Sequence, residues 1–157
     1  MGELSVSVLH LLKFSYWPMP SPILLYDGVC GLCNRFVQFI LRRDRNAIFR
    51  FASLQSAVAA RILARHGANP TDLDTVYVVV NPELPGEYLL SRSAAAIFVL
   101  KQLGGLWRPV ASLLQLLPNF LRDPAYNAVA RHRYGIFGRS EVCPAPRDAD
   151  HSRFLDQ

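Results

Sequence analysis

Residues 23–43 read Ile-Leu-Leu-Tyr-Asp-Gly-Val-Cys-Gly-Leu-Cys-Asn-Arg-Phe-Val-Gln-Phe-Ile-Leu-Arg-Arg, a short apolar run followed by a turn and an amphipathic segment. Residues 23–26 are long enough for one buried strand, and Asp27-Gly28 ends the run with turn-forming residues. Apolar side chains from Cys33 onward then recur at the i, i+3, i+4, i+7 spacing of one helix face. The pattern predicts a strand, a tight turn and a helix, with two cysteines at the junction.

Cys30 and Cys33 fall in the loop and the first turn of this predicted helix. The unpaired N–H groups and the positive dipole end of a helix stabilise a thiolate, which is the form that attacks a disulfide. We assign Cys30 as the nucleophile, because it comes first and is expected to be the more exposed thiol. Cys33 lies on the apolar face and is assigned to resolve the mixed disulfide. A Cys-x-x-Cys at a strand–helix junction is typical of a redox motif.

Asp27 precedes Cys30 by three residues and has two possible roles. Its carboxylate could accept N–H groups of the loop, as in an Asx turn, or it could accept the proton of Cys33 during resolution. A carboxylate beside a thiolate also opposes the helix dipole, because it raises the pKa of the thiol. Both roles stay open at this point.

The segment Asp27-Gly28-Val29-Cys30-Gly31-Leu32-Cys33 resembles the Asp-x-x-Cys-x-x-Cys signature of the DCC family of predicted thiol-disulfide oxidoreductases. The resemblance runs from about Pro22 to about Cys143. It implies a thioredoxin-like fold and dithiol redox chemistry. Three further segments support it: Ser91-Arg92-Ser93-Ala94, Leu103-Gly104-Gly105 and Arg133-Tyr134-Gly135-Ile136-Phe137-Gly138.

The order of the predicted elements agrees with an α/β, thioredoxin-like βαβα-ββα core with two extra C-terminal helices. Strands are predicted at residues 23–26, 47–52, 75–80 and 87–90, and helices at 55–66, at 93–103 and over a segment that has Cys33 in its first turn and ends at Arg43. Ser93 is predicted to cap the last of these helices. The two extra helices are predicted over 107–117 and 123–134, with Asp123-Pro124 as the start signal of the second. We expect them to cover the sheet or to shield the cysteines.

One feature departs from thioredoxins, which carry a cis-proline before the third strand, facing the cysteine pair. Here that strand is preceded by Leu73, Asp74 and Thr75. We therefore place Thr75 opposite the pair and expect the surface that binds substrate to be built differently. The glycines Gly28 and Gly31 are expected to keep the backbone around the pair accessible.

The chain of 157 residues suits one domain, which we divide into an N-terminal arm (1–22), a thioredoxin-like domain with its helical extension (23–138) and a flexible tail (139–157). The apolar residues of the arm are too few to span a membrane and lack the basic start of a signal peptide. Three cysteines do not make a secreted disulfide framework, so we expect a cytoplasmic protein. The net charge of +5 comes with no nucleic-acid-binding motif.

The expected activity is thiol–disulfide exchange with a disulfide-containing protein or a low-molecular-weight thiol, with no cofactor because the electrons reside in the dithiol. One alternative is a zinc-stabilised binding module that uses Cys30, Cys33, Cys143 and a histidine, although the chain lacks a second close pair of ligands. Another is a vestigial thioredoxin-like module without turnover. Cys143 is by default a free thiol, and otherwise a third redox cysteine.

Several further side chains receive structural interpretations. Tyr26 and Tyr134 are expected to serve packing with one hydrogen bond each. Arg131, His132 and Arg133 are expected to form a solvated helix face.

Overall fold

A four-stranded sheet lies at the centre of the structure, a computed structural model that describes residues 20–139 and 148–156. The strands are β1 (Ile23–Tyr26), β2 (Arg50–Ser53), β3 (Tyr77–Val80) and β4 (Tyr88–Ser91), in the spatial order β2-β1-β3-β4. β1 pairs in parallel with β2, and β3 pairs antiparallel with both β1 and β4. The two central strands are buried on both faces, as their continuous apolar runs predict.

Five helices surround the sheet in the described part of the chain. They are α1 (Gly31–Arg43), α2 (Ala57–Arg65), α3 (Arg92–Leu103), α4 (Trp107–Leu116) and α5 (Asn119–Phe137), and a 3-10 helix follows over Asp148–Arg153. The resulting order, βαβα then ββα then two helices, confirms the predicted thioredoxin-like core with its C-terminal additions.

The alternation of side chains along β1 separates two apolar layers. Leu24 and Tyr26 pack with the buried side chains of α1 and α3, whereas Ile23 and Leu25 pack with those of α2. The two cysteines belong to the α1–α3 layer. The dithiol is therefore part of the hydrophobic core and not of a surface loop.

The start of α5 differs from the prediction, because Pro124 lies inside the helix and not at its first position. Leu117 precedes Pro118 and is held in extended backbone, which ends α4 and lets α5 begin directly afterwards. Asp123 accepts a hydrogen bond from the Ser93 hydroxyl instead of capping a helix. The predicted cap at Ser93 is also wrong, since the N-cap of α3 is Ser91, two residues earlier, and the helix begins at Arg92.

The prediction of a flexible tail is wrong for residues 148–156, which pack against the edge of the sheet. Phe154 forms a parallel bridge with Phe51, and their rings stack with centroids 5.1 Å apart. The Arg153 guanidinium binds the buried Asp44 carboxylate and donates from Nε to the Phe49 carbonyl at 3.1 Å. No local sequence pattern indicates this contact, because it joins residues that are far apart in the chain.

Two predictions concern residues outside the described ranges. They are the course of the N-terminal arm up to residue 19 and the role of Cys143. Within the described residues, no helix combines the length and the hydropathy that a membrane span requires.

We predict that Arg153→Met lowers the free energy of unfolding by about 3 kcal/mol, because it strands the buried Asp44 carboxylate without its cation. The measurement is equilibrium denaturation in urea. Arg45→Met is the matched control, since Arg45 is exposed and a change there should stay within about 0.5 kcal/mol. Equal effects of the two substitutions would contradict the assigned role of the ion pair.

A candidate dithiol active site

Cys30 is the N-cap residue of α1 and Cys33 lies in its first turn, as the sequence predicts. The Cys30 Sγ accepts a hydrogen bond from the Cys33 backbone N–H, with 3.4 Å between nitrogen and sulfur. The sulfur thus occupies the place of a capping oxygen and faces the positive end of the helix dipole. Both thiols are free.

The prediction that Cys30 is the more exposed thiol is wrong, because Cys30 is 0% exposed and Cys33 is 4% exposed. The C-terminal end of α5 covers the start of α1. The Gly31 N–H donates to the Gly138 carbonyl at 3.2 Å, and Cys30 forms an antiparallel bridge with Arg139. Residues 137–139, which we call the α5 cover, therefore separate the dithiol from solvent.

Gly31 is what allows the α5 cover to approach so closely. A Cβ atom at position 31 would lie 2.3 Å from the Phe137 carbonyl oxygen, a distance that no side chain tolerates. The glycine is thus required for the packing of two helix ends. The expectation that it keeps the backbone around the cysteines accessible is wrong.

Asp27 is buried and accepts four hydrogen bonds directly before the cysteine loop. The Val29 N–H donates to Oδ1 at 3.1 Å, which forms the expected Asx-type contact, and Gln55 Nε2 donates to the same oxygen at 2.8 Å. Oδ2 accepts from the Arg133 guanidinium at 3.1 Å and from the Tyr134 hydroxyl. These four donors occupy the acceptor positions of the carboxylate, which number about four.

Arg133 joins α5 to the site and was not recognised from the sequence. Its Nη2 atom lies 3.1 Å from the Asp27 carboxylate. The same nitrogen donates to the Leu73 carbonyl at 2.7 Å and to the Asp74 carboxylate at 3.2 Å. Its Nε atom is buried and has no hydrogen-bond partner among the residues that the structure describes. The prediction of a solvated helix face holds for Arg131 and is wrong for Arg133.

A signal for Arg133 did exist in the spacing of α5. Tyr126, Val129, Ala130 and Arg133 follow the helical period, so the arginine lies at a position of the apolar stripe. Tyr134 likewise does more than contribute to packing, because its hydroxyl donates a hydrogen bond to Asp27. Burial and its bond to Asp27 raise the pKa of Tyr134, so its hydroxyl stays protonated and acts as a donor.

The two thiols have unequal surroundings. Burial, followed by the negative charge and the hydrogen bond of Cys30, raises the pKa of Cys33 to about 12. The Arg133 charge and a backbone hydrogen bond from Asp27 act in the opposite direction and are outweighed. Cys33 therefore keeps its proton at neutral pH in the reduced protein.

An apolar cavity of about 170 Å³ reaches Cys33 between α1, α3 and α5. Its lining also includes Val76. Thr75, the residue that we expect opposite the cysteine pair, does not line the cavity. Thr75 is buried, and its hydroxyl lies 3.4 Å from the Asp72 carboxylate. The remaining lining residues are Leu32, Phe36, Ala96, Tyr126, Val129, Ala130 and Arg133.

The backbone beside the cavity is already hydrogen-bonded. The Val76 N–H donates to the Tyr126 hydroxyl at 3.0 Å, and the Val76 carbonyl accepts from the Arg92 N–H at 3.1 Å. No cis peptide bond occurs in the described ranges. An extended peptide cannot pair with this backbone unless the bonds to Tyr126 and Arg92 break.

The ligand set of the zinc hypothesis is not assembled in residues 20–139 and 148–156. No group of three or more His, Cys, Asp or Glu side chains is placed there to hold a metal ion. Cys143, the third thiol of that hypothesis, lies outside these ranges.

The sheet and the helices around it are consistent with a thioredoxin-like protein, in which Cys30 and Cys33 lie together at the start of α1. The family model of the DCC1-like thiol-disulfide oxidoreductases matches residues 24–139. The chain belongs to this family, which confirms the resemblance found in the sequence.

Two curated proteins are similar to most of the chain. A chloroplastic DCC family protein of Arabidopsis thaliana is 40% identical over 122 residues, which make up 78% of this chain and 68% of that protein. The uncharacterized protein YuxK of Bacillus subtilis is 38% identical over 137 residues, or 87% of this chain and 96% of that protein. No solved structure matches the chain significantly.

We predict that Gly31→Ala displaces the α5 cover and exposes Cys30, because the added methyl group collides with the Phe137 carbonyl. The expected results are a loss of about 1–3 kcal/mol in the free energy of unfolding and faster alkylation of Cys30. Gly135→Ala is the control, since a Cβ at that helical position meets nothing and should stabilise by about 0.5–1 kcal/mol. Unchanged alkylation in Gly31→Ala would contradict the covering role of α5.

The raised pKa of Cys33 predicts a specific dependence of stability on pH. The folded protein holds a proton up to about pH 12 that an unfolded thiol, with a pKa of about 8.5, releases earlier. The stability due to this proton is complete below about pH 8.5 and is lost as the pH rises toward 12.

We therefore expect the difference in unfolding free energy between the wild type and Cys33→Ala to fall above about pH 9, by at most about 1.4 kcal/mol per pH unit. Subtracting the variant removes the titration of the tyrosines, which both proteins share. A difference that stays constant up to about pH 11 would show that the Cys33 pKa is not raised.

Proposed function

We propose that the protein is a thiol–disulfide oxidoreductase in which Cys30 and Cys33 exchange two electrons with the disulfide of a protein or of a low-molecular-weight thiol. The observation that carries the proposal is the position of the Cys30 Sγ, which caps α1 and accepts the Cys33 N–H. The positive end of a helix dipole in general favours negative charge that develops on an attacking or departing atom.

The exchange proceeds in two displacements. The Cys30 thiolate attacks one sulfur of the substrate disulfide, forms a mixed disulfide and releases the first substrate thiolate. Cys33 then attacks the Cys30 sulfur and releases the second substrate thiol, while its own proton passes to the departing group. The dithiol is oxidised to the Cys30–Cys33 disulfide, and the substrate disulfide is reduced to two thiols.

The different surroundings of the two thiols support the attacking role of Cys30 and the resolving role of Cys33. Cys33, with its pKa raised to about 12, is held protonated until the mixed disulfide has formed. Formation of that disulfide removes the negative charge on Cys30, which is one cause of the raised pKa. Arg133 then remains as the neighbouring charge that stabilises the Cys33 thiolate. The resolving thiol thus becomes easier to ionise at the step where it must react.

For Asp27 we propose a positioning role. Its carboxylate is engaged by four donors, and the ion pair with Arg133 attaches α5 to the cysteine loop. A carboxylate with its acceptor positions filled is poorly suited to take the Cys33 proton. Through Arg133 and Tyr134, Asp27 instead holds the helix whose end covers Cys30.

The substrate must approach a buried thiol, so we propose that the α5 cover moves during turnover. Both backbone polar groups of Val76 are engaged, which favours a compact disulfide over an extended polypeptide that adds to the sheet. We also propose a reducing compartment such as the cytoplasm, because the chain has three cysteines and no secreted disulfide framework.

We predict that Cys30→Ser abolishes reduction of oxidised glutathione, whereas Cys33→Ser accumulates a mixed disulfide with Cys30 that mass spectrometry detects. Cys143→Ser is the control, and it should retain turnover if the pair alone carries the electrons. The wild-type pair should titrate as one two-electron couple in glutathione redox buffers, read by counting alkylated thiols. Full activity of both single variants, or the lack of any such couple, would refute the proposed chemistry.

A further inference from the structure

Helix α4 and the start of α5 present large apolar side chains to solvent. Leu106, Leu113, Leu116 and Phe120 are 84%, 67%, 79% and 72% exposed. Monomeric proteins rarely leave so many neighbouring apolar side chains uncovered. With three further exposed residues they form what we call the α4–α5 apolar surface: Leu106, Val110, Leu113, Leu116, Leu117, Phe120 and Leu121.

The way α4 docks explains why its leucines face outward. Ala111 is its only buried residue. At its start, the Trp107 ring contacts the Phe39 ring edge-on at 4.9 Å, and Arg43 lies over the same tryptophan at 5.2 Å. Of the two expected roles of the extra helices, covering the sheet or shielding the cysteines, the leucine face of α4 serves neither.

The charges around this surface have a single sign. Between Glu87 and Asp123 the chain has no acidic residue. The same interval carries four basic residues, of which Arg122 donates from its guanidinium to the Ser93 hydroxyl. The four are Arg92, Lys101, Arg108 and Arg122. Asp123, which follows the surface along α5, already accepts a hydrogen bond from the Ser93 hydroxyl. An apolar surface on a segment that carries only basic charges is complementary to an anionic, partly apolar partner.

We propose that the α4–α5 apolar surface docks on the surface of an anionic lipid bilayer. The leucine and phenylalanine side chains would enter the boundary between head groups and acyl chains, and the basic residues would meet lipid phosphates. This mode needs only an amphipathic surface of this kind and no membrane-spanning helix. It is independent of the dithiol chemistry proposed above.

A second copy of the chain fits the surface less well. In a two-fold contact the surface meets the same surface of the other copy, so the basic residues of both segments, Lys101 and Arg108 among them, would be brought together without any acidic side chain from residues 88–122 to compensate them. Like charges brought together in this way oppose association. A bilayer that contains anionic lipid attracts the same side chains.

The test is co-sedimentation of the full chain with vesicles of phosphatidylcholine alone or mixed with phosphatidylglycerol. We expect binding to the mixed vesicles that is about tenfold or more tighter than to pure phosphatidylcholine and that weakens as salt is added. Leu113→Gln/Leu116→Gln should reduce binding by about tenfold or more, because two apolar side chains no longer enter the bilayer.

Ile136→Gln is the matched control for this experiment. Ile136 is 70% exposed on the last turn of α5, outside the α4–α5 apolar surface, so its loss should leave vesicle binding unchanged. Titration of the Cys30–Cys33 pair in each variant shows that the fold and the dithiol persist, which separates failure of docking from failure of the redox chemistry.

Three results would overturn the proposal. The first is no binding to either kind of vesicle, and the second is binding that the double variant retains, which would locate it elsewhere in the chain. The third is a concentration-dependent dimer in sedimentation equilibrium that the double variant abolishes, without vesicle binding. That last result would assign the surface to a second copy.

Discussion

The arrangement of the site depends on one buried ion pair, between Asp27 at the end of β1 and Arg133 near the end of α5. The two groups are 106 residues apart in the chain and 3.1 Å apart in space, and both side chains are almost fully buried. Removing one partner of such a pair costs about 3–5 kcal/mol, because the other charge is left in the core. The pair therefore attaches the C-terminal extension to the cysteine loop, and the extension becomes part of the site.

Because α5 is attached to the cysteine loop, access to the Cys-x-x-Cys is controlled separately from its reactivity. The Cys30 Sγ caps α1 at the positive end of its dipole, while burial and the neighbouring sulfur raise the pKa of Cys33. The α5 cover adds control of access, because it bonds to the first turn of α1 through Gly31. Reactivity is thus set by one end of α1, and access is set by the end of another helix.

The same extension has a second face with different chemistry. α5 begins at the α4–α5 apolar surface, where basic and apolar side chains meet solvent, and it ends as the cover over the dithiol. On its inward face, the Tyr126 hydroxyl accepts a hydrogen bond from the Val76 N–H, and the Arg133 guanidinium binds the Asp27 carboxylate. One helix therefore combines the closing of the site with the outward surface that we assign to a bilayer.

The sequence alone predicts most of the elements, the order of the core and the dithiol at the start of α1, because hydrophobic period, turn residues and cysteine spacing are local properties. It misjudged the exposure of Cys30, the environment of Arg133 and the tail that binds Asp44. Each of these depends on contacts between distant parts of the chain, and a local pattern cannot encode which charge meets which carboxylate. Only the tertiary structure decided that the cysteines are covered and that Asp27 is already paired, because burial and ion pairing arise from packing.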